Sequence, residues 1–124
     1  MKVNVYEVGP RDGIQYLKRL VPTEMKQKLI TLLYDSGIAD IEEVSFAHPK
    51  RLPQMADAEE VFTGKGAGLV MNKRGFDRAI SAGVEKINIV FSPCETFNMK
   101  NMGKTRSGIV LMYRPLPCLL DIYP

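Results

Sequence analysis

Glu7-Val8-Gly9-Pro10-Arg11-Asp12-Gly13-Ile14-Gln15 closes an apolar-rich run, Val3 to Val8, with an abrupt stop. Gly9 and Pro10 end the run, and a cation, an anion and a second glycine follow at once. The run reads as a β-strand, and its near-continuous apolar character suits a strand buried in a parallel sheet. Arg11 and Asp12 then stand where the strand becomes a loop. In α/β proteins that end of a strand is where active sites are assembled. Taken alone, the segment also fits a solvated turn closed by its own ion pair, because Arg and Asp are common on loops.

Composition narrows the class. The chain has 124 residues, 45% of them hydrophobic and 25% charged, which is ordinary for one globular domain. The net charge is +3, and the 17 basic residues are spread out. No basic stripe with interleaved aromatics is present, so no nucleic-acid partner is expected. The two cysteines, Cys94 and Cys118, lack metal-type or redox-type spacing and read as reduced thiols. No apolar run reaches the ~20 residues of a membrane span. No signal or transit pattern is read at Met1-Lys2-Val3-Asn4, so a cytoplasmic protein is expected.

Outward from the opening stretch, strands and helices alternate. The loop from Gly9 to Pro22 exceeds the roughly 2–6 residues of a usual βα connection, and long ordered loops are often functional. Thr23 reads as a helix N-cap, with Met25, Leu29, Leu32 and Leu33 as the buried stripe and Gly37 as the stop. Ile38 to Val44 reads as a second strand containing Glu42 and Glu43. Adjacent strand residues face opposite ways, so one carboxylate points inward or to a ligand and the other to the helix layer or solvent. Asp57 opens a short helix, with Glu60 at capping-box spacing. Ala67 to Met71 is a third strand. Arg74 to Ala82 is a helix with Phe76, Ala79 and Ile80 on one face, ended by Gly83. Glu85 to Phe91 is a fourth strand, stopped by Ser92-Pro93. After Gly103 no helix is cleanly written, and Pro115, Pro117 and Pro124 break any regular element.

Alternation of this kind implies βαβ units and parallel strands. The strand ends then share one rim, and each carries polar groups: Arg11, Asp12 and Gln15; Glu42 and Ser45; Asn72; Ser92, Glu95 and Asn98. This is the arrangement a (β/α) barrel enzyme needs. Oxygen ligands of this kind suit Mg²⁺ or Mn²⁺ better than Zn²⁺. A complete barrel has eight strands in roughly 250 residues, so the expected fold is a partial TIM barrel, about the first four βα units.

Several blocks in order carry a family resemblance. Glu7 to Gln15 resembles the signature of hydroxymethylglutaryl-CoA lyase, of the metal-dependent barrel group that includes the isopropylmalate and citramalate synthases. The similarity continues through Ile41-Glu42-Glu43-Val44-Ser45-Phe46, Pro49-Lys50, Pro53-Gln54-Met55-Ala56-Asp57, Asn72-Lys73-Arg74-Gly75-Phe76 and Ala82-Gly83 to Glu95-Thr96-Phe97. It divides the chain into 1–101, the N-terminal half of a lyase-type barrel, and 102–124, a divergent tail that reads as truncated or frame-shifted.

The resemblance implies metal-dependent cleavage of 3-hydroxy-3-methylglutaryl-CoA to acetyl-CoA and acetoacetate. It assigns catalytic roles to Arg11, Asp12 and Glu42, with Asp12 also a metal ligand and the candidate base. Gln15, Lys18, Ser45 and Asn72 become substrate-binding residues, with Lys18 on the CoA side. The family's His-x-His metal pair, a later Asn ligand and a glycine-rich lid with a cysteine have no counterpart here. His48 reads as a surface histidine, and Cys94 receives no role. Binding of Mg²⁺ or Mn²⁺ to this half alone is therefore expected to be weak or absent, and the isolated half barrel inactive. Its partners are an acyl-CoA substrate and, through open sheet edges, either another copy or the missing C-terminal half. A non-catalytic remnant or interaction module, and a Claisen-type synthase of the same group, stand beside this reading.

Overall fold

A computed structural model describes residues 3–113. Four parallel strands form one sheet in the order β1-β2-β3-β4: Tyr6–Glu7, Asp40–Ser45, Ala67–Val70 and Lys86–Ile89. Spatial order follows chain order without a reversal, which is winding in one direction, as in a barrel and unlike a doubly wound sheet. Helices α1 (Thr23–Asp35), α2 (Ala58–Val61) and α3 (Lys73–Ser81) fill the crossovers, and α4 (Glu95–Met102) and α5 (Arg106–Tyr113) follow β4. Gly37 and Gly83 end α1 and α3 with φ of 93° and 79°, the left-handed conformation that favours glycine. The expected parallel α/β architecture is therefore present.

The core lies between sheet and helices. Ile30 of α1, Val44, Phe46, Val61, Val70, Phe76, Ala79 and Val84 form one buried cluster. Ile109 and Tyr113 of α5 join it, so a helix and two core residues occupy a stretch where no clean helical pattern was read. The Tyr113 hydroxyl donates to the Val70 carbonyl at 3.3 Å. Residues 114–124, including Cys118, Pro115, Pro117 and Pro124, lie outside the described residues, as does the N-terminal Met1-Lys2.

Local expectations are corrected in five places. β1 is two residues long rather than Val3 to Val8, and Val3 and Val5 are exposed because this is an edge strand. Pro22, not Thr23, occupies the N-cap of α1, and the Thr23 hydroxyl instead donates to Asp57 at 2.6 Å. Asp57 precedes α2 but makes no side-chain cap, because its carboxylate is engaged by Thr23 and Lys26. The inward face of α1 is Lys26 and Ile30, with Tyr34 half-buried, whereas Met25 and Leu32 are 61% and 56% exposed. The helix is rotated this way by Ile30 in the core and by the Lys26 ammonium, which reaches the Gln54 carbonyl and Asp57 Oδ1. Ile80 of α3 is likewise exposed while Phe76 and Ala79 are buried.

Candidate active site

The Glu7-to-Gln15 stretch folds into a π-helical turn, Gly9–Gly13, with Pro10 at its start and buried. The Asp12 amide donates to the Val8 carbonyl at 2.6 Å, and the Glu7 carboxylate accepts from the Gly9 amide at 2.5 Å. This wide turn brings Arg11 against Glu42 of β2. Arg11 Nε donates to Glu42 Oε1, and Nη1 donates to Asp12 Oδ1 at 2.6 Å. Gln15 Nε2 donates to the same Asp12 oxygen at 2.8 Å. The second oxygen of Glu42 accepts from Asn88 of β4, whose amide also donates to the Tyr6 hydroxyl at 2.5 Å.

One polar network thus ties β1 and the turn after it to β2 and β4. Its hub is Glu42, 3% exposed, with both oxygens engaged. Arg11 is held on two sides, and its Nη2 makes no hydrogen bond among the described residues. The guanidinium is a planar fork with a fixed charge, so anchoring two nitrogens fixes the direction of the third. Burial raises the pKa of the Tyr6 hydroxyl; the Asn88 hydrogen bond opposes the shift and the Glu42 charge adds to it.

Glu43 takes the other face. It is fully buried and accepts from the Tyr34 hydroxyl at 2.6 Å, the Thr63 amide and hydroxyl at 2.8 and 2.7 Å, and the Gly66 amide at 3.0 Å. A Cβ on Gly66 would stand 2.6 Å from Glu43 Cγ, so glycine permits this approach. Burial, and then the Glu43 carboxylate, raise the Tyr34 pKa. The pleat thus separates two adjacent acids, one to the rim network and one to the helix layer.

The other expected site residues lie apart from this network. Lys18 is exposed on the loop before α1. Ser45 is buried, and its hydroxyl accepts from the Ala47 amide at 3.2 Å. Asn72 is the N-cap of α3, accepting from the Gly75 amide at 2.9 Å. Ser92, Glu95 and Asn98 engage one another's neighbourhood: Asn98 donates to the Ser92 carbonyl at 2.7 Å, and Glu95 pairs with Arg106. His48 is exposed, with Nδ1 accepting from the Lys50 amide, and Cys94 is exposed. A cleft of about 190 Å³ beside α3, lined by His48, Asn72, Arg74 and Arg78 among others, includes none of the rim network.

Sequence reading missed Tyr6 and Asn88. The signal for Asn88 was a lone amide inside the apolar run Ile87-Asn88-Ile89; that for Tyr6 was a phenol just before the signature. A metal fits poorly here. Asp12 is the one expected ligand, its Oδ1 is committed to Arg11 and Gln15, and no group of three His, Cys, Asp or Glu among the described residues could hold an ion. Mg²⁺ takes about six oxygen ligands, several of them commonly water, and is held by one or two carboxylates, here at most Asp12 with one oxygen already engaged. No helix among the described residues is long and apolar enough to cross a membrane.

No family model matches the chain. Among curated proteins it is 42% identical over 119 residues to the mitochondrial hydroxymethylglutaryl-CoA lyase of Arabidopsis thaliana, covering 90% of this chain and 25% of the relative. It is 43% identical over 108 residues to the rat mitochondrial enzyme, covering 82% of this chain and 33% of the relative. Among solved structures it superposes on an HMG-CoA lyase of Acinetobacter baumannii in complex with coenzyme A and 3-methylmalate, with a TM-score of 0.88 and 36% identity. That match covers 97% of this chain and 42% of the other. The hydroxymethylglutaryl-CoA lyase of Pseudomonas aeruginosa gives a TM-score of 0.88 at 32% identity, over 98% and 43%. The chain spans about a quarter to a third of these curated relatives' length. In sequence and in fold, the chain is similar to the N-terminal part of the hydroxymethylglutaryl-CoA lyases, a section of their TIM barrel.

Proposed function

We propose that this chain supplies the substrate-facing half of a hydroxymethylglutaryl-CoA lyase-type carbon–carbon lyase, active only within a completed barrel. The observation that carries the reading is Arg11, anchored by Glu42 and Asp12 with Nη2 left to a ligand. Cleavage of a 3-hydroxyacyl thioester removes a proton from the hydroxyl and leaves an enolate whose charge gathers on the thioester oxygen. A pre-aimed guanidinium stabilises charge that develops there in the transition state. Asp12 is the base for the hydroxyl proton, and Gln15 orients its carboxylate. Glu42 fixes Arg11, with Tyr6 and Asn88 behind it. Lys18, Ser45 and Asn72 are kept as substrate-side residues, Lys18 toward the CoA moiety. The described donors do not make a metal site, so no step here passes through Mg²⁺ or Mn²⁺, and metal dependence belongs to the completed barrel.

The open faces support association. Val3, Val5 and Tyr6 at the β1 edge, Met25, Leu29 and Leu32 on α1, and Val90 and Phe91 beyond β4 are all at least one-third exposed. Apolar surface on this scale marks an interface, here with the remaining barrel half or a second copy. The cytoplasmic placement stays a proposal, since the plant and animal relatives are named as mitochondrial.

The test is a chimera of this chain with the remaining C-terminal portion of the Acinetobacter relative. Metal-dependent acetoacetate release from 3-hydroxy-3-methylglutaryl-CoA is expected from the chimera, none from the chain alone, and a loss of at least about 100-fold with Arg11→Lys. A folded chimera without turnover overturns the reading. Turnover only of acetyl-CoA with a 2-oxo acid assigns it to the Claisen-type synthases instead.

A further inference from the structure

The loop between the π-helical turn and α1 has no apolar anchor over most of its length. Tyr16, Leu17 and Leu20 are 77%, 52% and 61% exposed, and Lys18 and Arg19 are exposed as well. Residues 18–21 take part in no backbone–backbone hydrogen bond among the described residues. One buried side chain holds them instead. Gln54, in the 3-10 turn Pro53–Met55 and 4% exposed, accepts from the Val21 amide at 3.1 Å. Its Nε2 donates to the Leu17 carbonyl at 2.9 Å and to the Arg19 carbonyl at 2.7 Å. Both amide protons and the oxygen are used, so the side chain has one orientation that satisfies it.

The two carbonyls flank Lys18 in the chain, so the amide sets the path of the backbone from which Lys18 projects. The base of this clip is itself fastened. Lys26 donates to the Gln54 carbonyl and to Asp57 Oδ1, and Thr23 donates to Asp57 Oδ2. The segment following β2 thus grips the loop preceding α1 at several points.

We infer that Gln54 is a positioning residue, a latch that fixes the loop 17–21 and so sets the backbone from which Lys18 projects. Its consequence for acyl-CoA binding rests on the lyase reading above; the latch itself does not. Losing three hydrogen bonds to an otherwise unanchored loop raises the population of its released form by at least about tenfold. Trypsin cuts after Lys18 and Arg19, and so reads that population directly.

The experiment is limited trypsinolysis of the 124-residue chain, with cut sites identified by mass spectrometry. Gln54→Met keeps the side-chain length and removes all three bonds, and cleavage at Lys18 and Arg19 is expected to accelerate about tenfold or more. Gln54→Glu keeps the acceptor for Val21 and loses both donors, and is expected to accelerate the same two cuts. Rates at Lys86, Lys100 and Lys104 are expected to stay as in the parent. Unchanged cleavage at Lys18 and Arg19 in both variants overturns the latch, as does uniform acceleration at every site, which would mean general loosening. No turnover is measured, so failure of the lyase reading leaves this result standing, and failure of the latch leaves the chimera assay untouched.

Discussion

Glu42 and Glu43 are consecutive, acidic and buried, yet they belong to different parts of the molecule. Glu42 shares its oxygens between Arg11 and Asn88, groups that come from the turn after β1 and from within β4. Glu43 is sealed beneath Tyr34, Thr63 and Gly66, and receives four hydrogen bonds from the helix side. The pleat turns neighbouring side chains to opposite faces, so one dipeptide serves both an open site and a closed scaffold. The difference teaches that burial alone does not mark a catalytic acid. What distinguishes Glu42 is that its partners include a cation with a donor left over.

The largest effect expected is on the sealed side. Glu43→Ala leaves two part-buried hydroxyls and two amides without their acceptor, one of the amides buried, and should cost about 3 kcal/mol in urea unfolding. A loss below about 1 kcal/mol would erase the contrast between the two acids. Next comes the other helix-side carboxylate, Asp57. Burial would raise its pKa, but the Lys26 and Thr23 hydrogen bonds hold it below the ordinary 3.8. A depressed carboxylate contributes stability that is complete above the unfolded pKa and is lost as pH falls through the lower folded one. Asp57→Asn should therefore cost about 2 kcal/mol at pH 7, and the gap to the parent should close below pH 3.8 in acid-unfolding curves. A gap that stays constant down to pH 2 would break the assignment.

On the rim the stability costs are smaller and the functional ones larger. Glu42→Gln keeps the shape and weakens the Arg11 contact, at about 1–2 kcal/mol in the same unfolding assay. In the chimera it should reduce turnover far more than Glu43→Gln does. Equal losses of turnover would mean that the two faces do not divide the work. Asn72→Ala should cost about 1 kcal/mol through the lost N-cap of α3, and Asn72→Asp should restore it. If Asn72→Asp restores stability but not chimera turnover, Asn72 contacts substrate as well as capping the helix.

The alternation of apolar runs with helical periods is written locally, and so the parallel α/β order was legible. Arg11 and Asp12 stood out because they follow directly on the Gly9-Pro10 stop at the end of an apolar run. That Glu42 and Glu43 face opposite ways followed from the pleat, whereas the family resemblance picked out Glu42 as the site acid. The inward face of α1 was misread, because hydrophobicity favours Met25, Leu29 and Leu32, whereas Lys26 and Ile30 go inside. A lysine goes inward only when an acid and a carbonyl meet it, and those lie about 30 residues later at Asp57 and Gln54. Helix α5 was unread because its pattern is short and its buried positions, Ile109 and Tyr113, are set by the core that they complete.

The sequence by itself determined the order of elements and the chemistry available at each strand end, since both depend on period and on residue type within a few positions. Only the tertiary structure decided which groups meet. It joined Tyr6, Arg11, Glu42 and Asn88 across as many as 82 residues of chain. It also set Gln54 beneath the Lys18 loop and left Asn72 as a helix cap. Hydrogen bonds act over about 3 Å, and the separations they bridge are fixed by sheet register and helix packing, which no local stretch encodes.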